Sequence, residues 1–285
     1  MIGVLRSHPK HIRGANRTPV PTLDHMTPTR ISGPITWLAV FLAVAQVVAP
    51  VVPFSGFGAS PNESTTDLLI TPAGYTFSIW SLIYLLSIVF AIAVVRKGAT
   101  GTDDPRRLLI DLEVAFAGAA LWILVSAAEW TWVTPIVLTV MTVVLLDAAR
   151  IAARPADDAA PRWLIVLTRI LVGVYAAWAT AAVFQNWAAA IGADLADPRS
   201  LGWQLTILLA CALLGLAVTA AVGSVLVAYP LTLIWALVGT IVAAEAATTA
   251  VVGVAIGTIV ALVVTTAAVT ILRRRAGVPA PAAAR

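Results

Sequence analysis

The chain has 285 residues, of which 60% are hydrophobic and only 11% charged, and its formal net charge is +4. A soluble domain carries about 25% charged residues, so this chain lacks the charge to cover a water-exposed surface, and its mean hydropathy of +0.94 agrees. A soluble globular domain is excluded, and an all-α, polytopic transmembrane helix bundle is expected.

Residues 1–33 form a polar, basic tail that holds all three histidines, His8, His11 and His25. With no His in any apolar run and a single cysteine, Cys211, neither a His/Cys metal cluster nor a disulfide framework is available. The apolar run after the tail is too long for a signal-peptide core, so it reads as a retained span. Met26 lies just before it and is an alternative start.

Crossing a bilayer takes about 20 apolar residues. Eight runs qualify, at about 35–53, 75–95, 108–128, 133–149, 163–191, 202–221, 225–244 and 248–271. Sixteen of the eighteen basic residues fall in the tail, in the second-to-third and fourth-to-fifth connections, or after the last span. Cytoplasmic loops retain Lys and Arg, so this asymmetry predicts N-in, C-in topology. Arg199 alone sits in an opposite-side loop, and Arg169 lies inside the fifth span. Basic residues spread in this way give no nucleic-acid patch; contact with anionic headgroups is a secondary reading of the same charges.

Charges inside spans are costly and tend to pair. Asp111, Glu113, Asp147 and Arg169 share a shallow depth near the basic side, so Arg169 is expected to clamp one of these acids. A proton or ion relay is the sharper alternative.

A second polar set lies toward the opposite side. Trp80 and Tyr84 stand one turn apart on the second span, about 8 and 14 Å in at 1.5 Å per residue. On the fifth span Tyr175, Trp178, Ala182 and Asn186 make one helical stripe. Trp122, about 21 Å along the third span, reaches the same depth. Small residues beside the stripe, Ala176, Ala177, Ala179 and Ala181, permit close packing or leave a pocket. Trp130, Trp132, Trp163, Trp187 and Trp203 sit at span ends and read as interface anchors.

These motifs carry a resemblance. "YTFSIWSLIY" on the second span resembles the second helix of the translocator protein family, also called tryptophan-rich sensory proteins, in which a W-x3-Y follows an aromatic-rich turn. "VYAAWATAAVFQNW" resembles that family's fifth helix with its Y-x2-W-x7-N. On the third helix Trp122 matches the family's Trp, while Ala119 stands where the family has Asn. Tyr75, the aromatic opening the second helix, stands at a spacing one residue shorter. The likeness covers about residues 34–192 as a five-helix unit, leaving three additional helices over 193–275 and a tail over 276–285; longer bacterial relatives carry such extra spans.

The resemblance implies a pocket among helices one, two, three and five, lidded by loop 54–74. It implies a ligand-binding site formed by Trp80, Tyr84, Trp122, Tyr175, Trp178 and Asn186. The implied ligand is hydrophobic and aromatic or tetrapyrrole-type, such as a porphyrin or haem-like molecule, with sterols and benzodiazepine-type compounds as further classes. No resident cofactor and no metal are expected. The expected partners are the lipid bilayer and a small hydrophobic ligand, with a homodimer left open; the expected location is a bacterial inner membrane. Binding without catalysis is the first reading. A small-molecule transporter is the alternative, and an intramembrane enzyme ranks last because the spans hold no His, GxSxG or deep Asp pair.

Overall fold

A computed structural model describes residues 31–56, 58, 68–157, 159–244 and 248–277. The basic tail with its histidines and Met26, the acids Glu63, Asp67 and Glu245, and the last residues of the chain lie outside them. The described residues are all-α: α1 (Pro34–Val48), the short α2 (Val51–Phe54), a 3-10 turn (Gly74–Ser78), α3 (Ile79–Lys97), α4 (Pro105–Ala127), α5 (Val133–Ala153), α6 (Arg162–Asp194), α7 (Leu201–Val222), α8 (Ala228–Ala243) and α9 (Thr249–Arg275).

Local chemistry sets several of these boundaries. Pro34 and Pro105 open α1 and α4 at the first turn, where a missing N–H costs nothing. Asp104 caps α4 by accepting from the Arg107 N–H. Gly98 closes α3 in the left-handed region, at φ 63°, and donates to the Val94 carbonyl. The Gly98 carbonyl then accepts from the Ile31 N–H at 2.9 Å, tying the start of α1 to the end of α3. The predicted second span differs at its outer end, where Gly74–Ser78 is a tighter 3-10 turn.

Seven helical stretches are long and apolar enough to cross a bilayer, counting α1 and α2 as one. Helix α8 is shorter, with 16 residues, or about 24 Å. Its two ends nonetheless meet opposite faces of the bundle. Ser224, just before α8, accepts from Arg273 at the end of α9. Gly239, near its other end, accepts from the Ala73 N–H in the loop before α3. Helix α8 therefore also runs from one face of the bundle to the other. Reporter fusions after Lys97 and after Arg275 are expected to report cytoplasm, and a fusion at Gly58 the outside. Matching signals at Gly58 and Lys97 would remove α3 as a crossing.

Helix α6 is the axis. It packs against α3, α5, α7 and α8, and every residue from Leu171 to Thr180 is buried. A helix apolar on all sides belongs in the middle of a bundle. Small residues make the approach feasible: a Cβ on Gly173 would come within 3.0 Å of Ala228 Cβ and 3.1 Å of the Tyr229 nitrogen. On the other side α4 lies between α1 and α5, while α7, α8 and α9 pack on one another.

The expected Arg169 clamp is not formed. Arg169 instead donates from Nε to the Ala152 carbonyl at 3.2 Å and from Nη2 to the Arg154 carbonyl at 3.3 Å. The last carbonyls of a helix lack intrahelical donors and carry its negative dipole end, so the end of α5 competes successfully for the guanidinium. Asp147 is taken by Arg107 at 2.7 Å. Asp111 Oδ2 and Glu113 Oε1 are buried without a hydrogen-bond partner among the described residues.

Candidate ligand cavity

Trp80 is the hub of an aromatic cluster built from three helices. Its position in the first turn of α3 aims the ring between α4 and α6. It stacks on Trp122 of α4, with ring centres 5.5 Å apart and planes at 22°. Tyr175 and Trp178 of α6 meet it edge-on at 6.0 and 6.3 Å, and Tyr84 lies against it at 5.6 Å. Phe77, in the turn before α3, packs edge-on against Trp178 at 5.7 Å. Offset stacks and edge contacts are the arrangements that ring quadrupoles favour.

The polar atoms of the cluster are mostly satisfied. Trp122 Nε1 donates to Asn186 Oδ1 at 3.1 Å, and Asn186 Nδ2 donates to the Ala182 carbonyl. The Tyr175 hydroxyl is fully buried, 3.1 Å from Gln46 Oε1 and 3.2 Å from the Ala115 carbonyl. Its single proton serves one of these acceptors at a time.

Next to the cluster lies a cavity of about 70 Å³, counted as space open to the centres of water molecules. Trp80, Trp122, Trp178 and Asn186 line it; Tyr84 and Tyr175 do not. The aromatic rings brought together by α3, α4 and α6 thus fill their own interior, and the free space is displaced toward the C-terminal helices. This cavity differs in its walls from the expected pocket among helices one, two, three and five. No residue of α1 lines the cavity, whereas α7, α8 and α9 supply its far wall through Leu208, Ala212, Gly215, Leu233, Leu237 and Leu262.

The lid expectation concerns the end of the loop. Ile70 and Pro72 line the cavity, and residues 69–76 are fixed by four hydrogen bonds. Gln204 of α7 accepts from the Leu69 N–H at 2.8 Å, and Gln185 of α6 donates to the Ile70 carbonyl. The Ala73 N–H reaches Gly239 at 3.0 Å, and Trp235 of α8 donates to the Thr76 carbonyl at 3.1 Å. Gln204, Gln185, Trp235 and Gly239 were absent from the expected site. An amide within an otherwise apolar helix is the signal that points to the first two.

The ten tryptophans divide by what their N–H groups do. Trp122, Trp132, Trp187, Trp203 and Trp235 donate to oxygens. Trp37, Trp130 and Trp163 are exposed. Trp80 and Trp178, at 8% and 3% exposure, are the two whose buried N–H has no partner among the described residues. Both border the cavity, whose lining is otherwise dominated by apolar side chains.

The family comparison agrees with this architecture. The chain matches the family model described as TSPO-like protein over residues 34–268, a stretch that begins with α1 and runs through α7 and α8 into α9. No curated protein and no solved structure gives a significant match. With a polytopic helical bundle, a tryptophan cluster at its centre and a family match over most of its length, the chain is an integral membrane protein that belongs to the TSPO-like protein family.

Proposed function

We propose that the protein binds a small apolar, aromatic ligand carrying a hydrogen-bond acceptor in the cavity beside Trp80 and Trp178. The observation that carries this reading is the pair of unpaired indole N–H groups. Leaving a buried donor unmade costs about 1–3 kcal/mol, and such groups are rare enough in native structures that each calls for an explanation. An oxygen acceptor in the cavity relieves that cost for either donor, and the rings of Trp80, Trp122 and Trp178 offer faces and edges to an aromatic body. Asn186 already accepts from Trp122, so its role is to hold that ring in place.

Size narrows the ligand. The cavity offers several times the room that one water needs, about 10–15 Å³ in the same measure, but far less than a flat macrocycle occupies. A tetrapyrrole therefore enters only if the loop at 68–78 swings off α8, while a single ring or fused pair with a carbonyl needs less movement. Binding without chemical conversion is the reading the side chains favour, since among the described residues the cavity wall holds no carboxylate or histidine.

The test uses purified protein and a 1,4-benzodiazepine bearing a lactam carbonyl. Saturable quenching of tryptophan fluorescence, with the compound recovered unchanged, is the expected result. Accumulation of a modified compound would make the protein an enzyme, and saturable flux into vesicles would make it a transporter.

A further inference from the structure

The cavity carries a further polar handle on α6, beyond Trp178. Gln185 lines it as Trp178 does. Seven residues separate the two, so they share one helix face and stand about 10 Å apart along its axis. The sense of the Gln185 amide is fixed by its partner. The Ile70 carbonyl can only accept, so the amide nitrogen faces the loop and Oε1 is left facing elsewhere. Among the described residues nothing donates to that oxygen, and it is not sealed in the protein as the Trp178 nitrogen is.

The wall between the two handles is small and apolar. Ala181 and Ala182 lie there on α6, and Ala212 and Gly215 of α7 line the cavity as well. Short side chains on both helices leave room for the flat body of a ligand, while its ends meet different chemistry. Around Trp80 and Trp178 the protein offers N–H donors; two turns further along α6, Gln185 offers an acceptor. An amide oxygen has two lone pairs, so Oε1 has the capacity to receive a donor from the ligand.

Building on the reading of the cavity given above, we propose that Gln185 receives a hydroxyl or N–H group of the ligand. The ligand class is then a fused aromatic ring pair with a carbonyl at one end and a donor at the other. Polar contacts at separated points fix the direction in which a ligand lies. A site built to receive a donor also rejects the analogue without it, since its own acceptor is then left unpaired.

The experiment is equilibrium dialysis of full-length protein in neutral detergent against 2-acetylnaphthalene, its 6-hydroxy derivative and its 6-methoxy derivative. All three carry the ketone, so their binding as a group tests the cavity, and the hydroxyl tests the contact with Gln185. Wild type is expected to bind the hydroxy compound up to about tenfold more tightly than the other two, the value of one hydrogen bond. Gln185→Met keeps the length of the side chain, removes the acceptor and should level the three affinities. It also frees the loop at Ile70, so Trp235→Phe is the comparison. That change removes the bond to Thr76 from a residue outside the cavity wall and should keep the preference for the hydroxyl. Gln185→Asn, which withdraws the amide by one carbon, decides the matter if Gln185→Met does not fold. Equal binding of the three compounds by wild type would overturn the donor contact and leave the cavity reading standing. A preference that survives in Gln185→Met, or in Gln185→Asn where that variant decides, would overturn the assignment to Gln185. Saturable binding of none of the three would overturn the cavity reading and the donor contact together.

Discussion

Trp80→Ala is expected to cost about 3 kcal/mol of stability, at the lower end of the roughly 3–5 kcal/mol seen when a buried Trp or Phe is truncated. The lower end applies because lipid tails are as apolar as a protein interior, so the water-transfer part of the penalty is missing and lost packing remains. Packing is what Trp80 supplies. Its ring contacts Tyr84, Trp122, Tyr175 and Trp178, which come from α3, α4 and α6, so removing it opens a void where three helices meet. Trp163→Ala is the comparison: that ring is 50% exposed at the start of α6 and makes no ring contact among the described residues. Its change should stay within about 0.5 kcal/mol. Thermal melting of both variants in detergent, followed by circular dichroism, gives the contrast. Equal melting temperatures would mean that the cluster surrounds space rather than holding helices together.

Gly239→Ala should destabilise by about 1–3 kcal/mol, as overpacking does in a close-packed interior. A Cβ at this position would lie 2.0 Å from Thr76 Cγ2 and 3.3 Å from Pro72 Cβ. The turn carrying both must then lift from α8, breaking the bond from the Ala73 N–H to Gly239 and the bond from Trp235 to Thr76. Because Pro72 and Phe77 line the cavity, ligand release should quicken along with the loss of stability. Thr76→Ser offers a rescue. It deletes the offending methyl and keeps the hydroxyl that donates to the Ala73 carbonyl at 2.6 Å. The double variant Gly239→Ala, Thr76→Ser should recover most of the melting temperature. If Thr76→Ser gives no recovery, the clash lies elsewhere and α8 does not hold the loop in this way.

The stripe on α6 was readable because aromatics among alanines stand out at helical spacing. Tyr175, Trp178 and Asn186 do turn toward one side of the bundle interior, and the amide at 186 meets the indole of Trp122 that depth alone had placed nearby. The far wall was not readable in the same way. In a bilayer the lipid-facing and cavity-facing sides of a helix are both apolar, so α7 and α9 show no contrast that periodicity can pick up. The trace that does exist on α7 is a run of smaller buried residues, Ala212, Gly215 and Thr219, on the face beginning at Gln204 and Leu208. Gln204 itself holds a loop residue 135 positions away, a pairing that no local spacing encodes. Arg169 shows a different difficulty. Its charge correctly implied a partner, but the carbonyls at the end of α5 compete with carboxylates for the same donor, and sequence offers no way to rank them.

The central claim is that Trp80 and Trp178 hold an acceptor-bearing ligand through N–H groups that the protein leaves unpaired. It is tested most directly with a pair of ligands, a 1,4-benzodiazepine bearing a lactam carbonyl and its analogue without that oxygen, measured by equilibrium dialysis against wild type, Trp80→Phe and Trp178→Phe. Phenylalanine keeps an aromatic face and removes the donor. The account predicts that wild type prefers the carbonyl compound by up to about tenfold, the value of one hydrogen bond. At least one Phe variant should erase that preference while still binding the analogue. Equal affinity of wild type for the two compounds, or the same preference in both Phe variants, would contradict it.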